Sequence, residues 1–275
     1  SRVGYSLRGN RLSGPDSYYA IVTGASAGLG KAFAGELARR GHNLLLVSLP
    51  GTGLPELTDT LRVQGKVSVH CVETDLLSKE APEEIAIYAK EHGFEVNILV
   101  NNAGIGHGGE IGEYSVEAIE ESVFLNMRCA TLLTNLFINE LKRRERAYIL
   151  NMGSFGGFMP LPYKSIYSAT KSYVYHFSLA VREELRGTGV NVSVAMPGPI
   201  LTNHKVMERI SRQGFLARSN VIEAEKAAAY ILDRMFRGRG LIIPRWTMRI
   251  AYGVGTLLPY RLLMIVLGRL FKGID

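Results

Sequence analysis

The chain has 275 residues, 47% hydrophobic and 21% charged, which is the balance of a globular protein with length for one large α/β domain or two small ones. Its 30 glycines follow no period, which excludes collagen-like and low-complexity chains. Lys and Arg number 32 against 25 Asp and Glu, a formal charge of +7 spread along the chain; it favours anionic phosphates or a membrane surface, and no nucleic-acid module accompanies it.

Residues 1–17 read as a basic N-terminal extension. The apolar run YYAIVTG at 18–24 then reads as a strand, followed by a helix at 29–40. Two further runs, NLLLVS at 43–48 and VSVHCV at 67–72, precede a helix at 80–92. VNILVNN at 96–102 leads to a long helix at 115–142, and AYILNMG at 147–153 to a helix at 165–186. VNVSVAMPG at 190–198, a helix at 223–237 and LIIP at 241–244 complete the series. Strands that alternate with helices imply a parallel sheet with helices on both faces. The runs lack clean polar alternation, as strands buried on both faces should. With no repeat and no Pro/Gly/Ser-rich linker in the middle, residues 18–244 are expected to form a single domain, with 245–275 as an apolar and basic tail. Cys71 and Cys129 read as buried thiols of a reducing compartment. The six histidines show no ligand spacing such as HExxH, so no metal site is predicted.

Open parallel sheets bind ligands at the carboxyl ends of their strands, so the stretch after each run carries the information. After the first run comes TGASAGLGKAF. Gly24, Gly28 and Gly30 suit a tight turn into a helix, where missing side chains and free N–H groups admit a pyrophosphate; an ordinary structural turn is the alternative. The spacing is G-x-x-x-G-x-G, not G-x-G-x-x-G. In ETDL, Asp75 can meet an adenine edge or cap a turn. NNAG at 101–104 suits backbone support and close approach to a ribose, or an Asn-rich turn. Ser154, ending NMGS, can hold a carbonyl oxygen or cap a helix. PGPILT at 197–202 is a rigid turn. In YSATK, Tyr167 and Lys171 are four residues apart on one helix face. An ammonium beside a phenol lowers its pKa from about 10, which suits proton exchange near neutral pH; an isolated pair of this kind is more often surface decoration.

All these signals fall on one sheet edge in one order, and together they resemble the short-chain dehydrogenase/reductase family over residues 18–244. The resemblance implies a doubly wound α/β fold, a seven-stranded parallel Rossmann sheet that binds a nicotinamide dinucleotide. By position, Asn126, Ser154, Tyr167 and Lys171 match the family's catalytic tetrad. Gly24, Ser26, Ala27, Gly28, Leu29 and Gly30 match its phosphate turn, Asp75 and Leu76 its adenine contacts, and Asn102, Ala103 and Gly104 its ribose-side loop. Pro197, Gly198, Ile200 and Thr202 match its nicotinamide-side turn. Tyr167 is then implied as the acid that protonates the alkoxide, with Lys171 beside it on the nicotinamide ribose. Ser154 is implied to orient the carbonyl, and Asn126 to anchor a water that joins Lys171 to solvent.

At the end of the second strand an acidic residue would bind the ribose 2′-OH and repel a 2′-phosphate. Ser48 and Leu49 stand there, with neither acid nor Arg, so NADP is expected ahead of NAD. The flanks are similar to the branch containing very-long-chain 3-ketoacyl reductases and 17β-hydroxysteroid dehydrogenases, which implies an apolar ketone as substrate and a membrane surface as neighbour. Residues 200–222 are expected to form a substrate lid, with Met207, Ile210, Phe215 and Leu216 as its apolar members; His107 faces the substrate or is a plain loop residue. Helices 115–142 and 165–186, through residues such as Leu132, Leu133, Leu136 and Phe137, are expected to build a homodimer or homotetramer. In the tail, Trp246, Tyr252 and Tyr260 suit a headgroup level and Arg249, Arg261, Arg269 and Lys272 suit anionic lipid. The run LLMIVLG at 262–268 is too short to span a bilayer, so the expected location is cytoplasmic with peripheral membrane contact. The remaining alternatives are an NAD-dependent alcohol or steroid dehydrogenase, and a dinucleotide-binding sensor without turnover.

Overall fold

The structure is a computed structural model that describes residues 18–201, 221–257 and 259–271. Seven strands form one parallel sheet: β1 (Tyr18–Thr23), β2 (Asn43–Ser48), β3 (Val69–Glu73), β4 (Glu95–Asn101), β5 (Ala147–Met152), β6 (Val190–Ala195) and β9 (Leu241–Ile242). Between β6 and β9, a separate two-stranded pair joins β7 (Ile200–Leu201) to β8 (Ile222–Glu223). The large sheet runs in the order β3-β2-β1-β4-β5-β6-β9. The order reverses between β1 and β4, which opens the crevice where ligands of such sheets bind.

Helices cover both faces. On one side lie α1 (Gly28–Arg39), α2 (Leu54–Gly65) and α7 (Ala224–Phe236). On the other lie α3 (Ala81–Glu91), the helix pair α4 (Val116–Val123) and α5 (Ala130–Leu141), and α6 (Ser165–Glu184). Successive strand residues feed the two layers in turn: Leu44 and Leu46 pack towards α1, while Leu45 and Val47 pack towards α3. This two-sided burial explains why the strands read as continuous apolar runs. It also makes each strand expensive to disturb, because burying one such aliphatic side chain contributes about 1.5–3 kcal/mol.

Three elements differ from expectation. Helix α2 follows a loop with positive-φ Gly51 and Gly53, and those glycines with Pro55 mask it in the sequence. Its Leu54, Leu57 and Leu61 nevertheless line one buried face, and proline is tolerated in a first turn. The helix expected over 115–142 is interrupted by a π-helical turn at Phe124–Cys129, the turn that carries Asn126. Such bulges re-aim a side chain without ending the helix. Strand β6 stops at Ala195 rather than 198, just before Pro197, which has no N–H to give a ladder.

Cys129 is buried, Cys71 is half-buried, and both are free. Leu133 and Phe137 are buried in the chain's own core, which leaves Leu132 and Leu136 as the partly accessible members of the expected helix interface. The tail forms α8 (Trp246–Leu257) and α9 (Tyr260–Phe271) on either side of Pro259. Tyr252 holds α8 to the body: its ring lies 4.2 Å from that of Phe158, and its hydroxyl is 3.3 Å from that of Tyr175. Among the described residues no helix is long and apolar enough to cross a membrane. Thr202, Met207, Ile210, Phe215 and Leu216, and with them most of the expected lid, lie outside the described residues, as do residues 1–17 and Lys272.

Candidate active site

The crevice is built from the strand ends inward. Thr23 closes β1, and its hydroxyl accepts from the backbone N–H groups of Asn102 and Ala103 at 2.9 and 3.0 Å. Asn102 returns the bond, donating from Nδ2 to the carbonyl of Thr23 at 2.9 Å. The stretch NNAG thus clamps β4 to β1 at the switch point. Asn101, its first member, turns inward instead. It donates to Asn151 Oδ1 at 2.8 Å, and Asn151 donates to Ser178 Oγ at 2.9 Å. This buried string ties β4, β5 and α6 together. Asn102, Ala103 and Gly104 are therefore the part of the motif that faces the crevice, while Asn101 braces the scaffold.

Asn126 reaches the same loop from the π-helical turn. Its Oδ1 accepts from Ile105 N at 2.9 Å, and its Nδ2 donates to Ile105 O at 2.8 Å and to Thr170 Oγ1 at 3.0 Å. Both ends of the amide are engaged with protein, so its contacts support a positioning role for the loop 104–106 beside α6. Thr170 was not singled out in the sequence; its signal is its place between Tyr167 and Lys171 on the same helix.

Tyr167, Lys171 and Val174 fall on one face of α6, with Lys171 and Val174 buried. Lys171 Nζ donates to the carbonyl of Met152 at 2.9 Å. Burial alone pushes its pKa down from 10.5 to about 8, so at neutral pH it still carries most of its charge. Ser154 lies two residues beyond Met152 and caps the short 3-10 turn Phe155–Gly157, its Oγ accepting from Gly156 N at 3.3 Å. Gly156 shows how close Ser154 and Tyr167 come: a Cβ there would lie 3.7 Å from Ser154 Oγ and 3.8 Å from Tyr167 Cε1. Gly104 does the same on the other side, where a Cβ would meet Asn126 Oδ1 at 2.8 Å and Lys171 Nζ at 3.1 Å. A Cβ on Gly106 would press on the Tyr167 ring at 3.1 Å. The glycines that leave this space, Gly106 and Gly156, were missed in the sequence because nothing marks a glycine that is needed for clearance alone.

At the mouth of β1, Gly24 and Gly28 hold φ of +64° and +53°, the left-handed region that favours glycine. Gly30 sits against the Gly24 carbonyl, where any side chain would collide. Ala27, the N-cap of α1, makes no side-chain cap bond, and the first turn holds no acid. The opening N–H groups of α1 are thus left to an anion, as a pyrophosphate requires. Ser26 Oγ and Ser48 Oγ are 2.7 Å apart, which joins the phosphate turn to the end of β2, and Leu49 beyond is half exposed. These residues fit a bound dinucleotide.

The remaining expected residues divide. Asp75 Oδ1 accepts from Leu77 N at 3.0 Å, which is turn capping, the second of its two readings. The Leu76 side chain is buried with Ile85 in the α3 layer. Pro197 accepts from Phe155 N at 2.8 Å, so the turn with Gly198 and Ile200 is tied to the one after Ser154. His107 Nε2 lies 3.6 Å from Glu121 Oε2 of α4, too far for a hydrogen bond. A cavity of about 500 Å³ lies elsewhere, under Met264 of α9. Its wall includes Ser165, Ala169 and Ser172, on the face of α6 opposite Tyr167 and Lys171, so it is not the reaction site.

A sequence model of the short chain dehydrogenase family matches residues 18–212. The very-long-chain 3-oxoacyl-CoA reductase of Pyricularia oryzae is 34% identical over 197 residues, 70% of this chain and 60% of that protein. The chain thus spans less than two thirds of that relative's length. Among solved structures, a short-chain dehydrogenase from Sphingobium yanoikuyae in complex with NADPH is 28% identical, with a TM-score of 0.75 over 87% of this chain and 93% of that one. A short chain dehydrogenase/reductase from Burkholderia phymatum in complex with NAD is 25% identical, with a TM-score of 0.78 over 88% and 94%.

Proposed function

Because the chain belongs to the short-chain dehydrogenase family, we propose that it works as an NADPH-dependent carbonyl reductase on an apolar, lipid-like ketone. The observation that carries this reading is the convergence of Ser154 and Tyr167 on Gly156, with Lys171 buried behind them. A pure binder has no need of such an acid. The bound nicotinamide supplies the hydride. Ser154 holds the carbonyl oxygen, and Tyr167 gives that oxygen its proton. Lys171, fixed by Met152 O, sets a positive charge beside the phenol. Asn126 and Thr170 hold the loop 104–106 beside Lys171. Acid–base assistance of this kind is worth about 10²–10⁴ in rate.

The lipid-like substrate is supported by the name of the Pyricularia relative and by the tail. Trp246, Ile250, Val254 and Leu257 lie along one exposed face of α8, and Leu262 and Ile265 are exposed on α9. Arg245, Arg249, Arg261 and Arg269 are interspersed, and residues 245–271 contain no acid. An apolar stripe with cations only is complementary to an anionic bilayer surface. We place the protein at such a surface from the cytoplasmic side, and as a homodimer or homotetramer built on α5 and α6; light scattering at micromolar concentration checks the assembly. Turnover of acyl, steroid and simple ketones with NADPH and NADH tests the function. Oxidation of alcohols with NAD and no ketone reduction would favour the dehydrogenase reading, and no turnover of any kind the sensor.

A further inference from the structure

The end of β2 carries no acid, but a carboxylate reaches the same loop from the neighbouring strand. In the parallel register Ser48 pairs with Glu73, the last residue of β3, so their side chains leave the sheet on the same face. Glu73 Oε1 accepts from Gly51 N at 3.1 Å, in the turn between β2 and α2. That turn is rich in groups suited to an anion. Ser48 Oγ is 2.7 Å from Ser26 Oγ of the phosphate turn, and Thr52 Oγ1 lies 3.5 Å from Ser48 Oγ. Gly51 and Gly53 hold positive φ, and a Cβ on Gly51 would meet nothing within 4 Å, so there is free space beside the turn. Among the described residues Glu73 forms no ion pair, and its charge is not offset by a Lys or Arg.

We infer that Glu73 is a specificity-determining residue for the cofactor: it occupies the Gly51 amide and holds a negative charge at the 2′ edge of the adenosine ribose, and so restrains binding of the 2′-phosphorylated dinucleotide. The inference rests on the dinucleotide reading of the same turn. NADP and NAD differ at this edge by a phosphate of about two negative charges, so a single carboxylate a few ångströms away bears on one cofactor and spares the other. Glu73 is exposed, so water and salt screen the effect, which should be moderate and largest at low ionic strength.

The test is equilibrium titration of the full chain with NADPH and with NADH, read by nicotinamide fluorescence at low salt. Glu73→Gln retains an oxygen that can accept from Gly51 N and removes the charge. The expected result is a fall of about 3- to 10-fold in the Kd for NADPH, with the Kd for NADH changed by less than about 2-fold, and a difference that shrinks in 0.5 M salt. An unchanged Kd for NADPH, or an equal shift for both cofactors, overturns the inference and leaves the dinucleotide reading intact. Wild-type protein that binds neither dinucleotide would sink both.

Discussion

Lys171 of α6 donates from Nζ to the carbonyl of Met152, the last residue of β5, at 2.9 Å. This bond fixes the helix that carries Tyr167 to the strand that leads into Ser154, so the proposed acid and the proposed oxygen-holder share one anchor. It also leaves an ammonium wholly buried, with a pKa lowered from 10.5 to about 8.

Burial therefore costs stability while Lys171 is charged. The sign follows from proton binding: between pH about 8 and 10.5 the unfolded chain holds this proton and the folded chain has lost it. Stability from this group rises with pH through that window, by at most about 3 kcal/mol. Lys171→Met should flatten the stability profile over that range in chemical denaturation. It should also raise stability near pH 7 by about 1–2 kcal/mol while abolishing turnover. A variant as steep in pH as wild type would contradict the assignment.

Tyr167→Phe keeps the ring against Gly106 and removes the proton. Dinucleotide binding should persist while turnover falls by about 10² or more. Near-normal turnover in steady-state assays would move the acid to another group.

Leu49→Asp sets a carboxylate on a half-exposed position at the end of β2. Cofactor preference, measured as the ratio of kcat/KM values, should move about 10-fold or more towards NAD. A wild-type protein that already strongly prefers NAD would contradict the NADP expectation.

Asn151 links Asn101 to Ser178 inside the sheet. Asn151→Ala leaves the Asn101 amide only its longer bonds to Thr134 Oγ1 at 3.3 Å and Ala130 O at 3.4 Å, takes one donor from Ser178 Oγ, which still donates to Val174 O at 2.6 Å, and opens a small cavity, at a cost of about 1–3 kcal/mol. Urea denaturation measures it, and a loss below about 0.5 kcal/mol would show that the string carries no tension between β4, β5 and α6.

The full chain should float with anionic liposomes at low salt, and less well with neutral ones. Val254→Asp with Leu257→Asp places charge on the exposed face of α8 and should abolish flotation with cofactor binding retained. If wild-type protein stays in the soluble fraction, the tail serves packing alone.

Much of this protein was legible in its residues. Seven apolar runs became seven parallel strands because burial on both faces leaves a signal that survives without neighbours. The glycine turn and Tyr167 with Lys171 were legible for the same reason: local geometry, a tight turn or one helical step, dictates the residue types. The tertiary structure decided what depends on long-range approach. Leu76 and Leu133 read as contact residues, but packing took their side chains into the core. Asn101 and Asn102 are adjacent in sequence, yet strand alternation sent one to brace α6 and the other to clamp β1. The need for Gly106 comes from a ring that arrives from α6, and that for Gly156 from Leu161, whose Cδ1 would lie 2.8 Å from a Cβ. Glu73 meets the cofactor loop only because β3 lies beside β2 in a register that pairs it with Ser48, 25 residues earlier, and no local pattern encodes that distance.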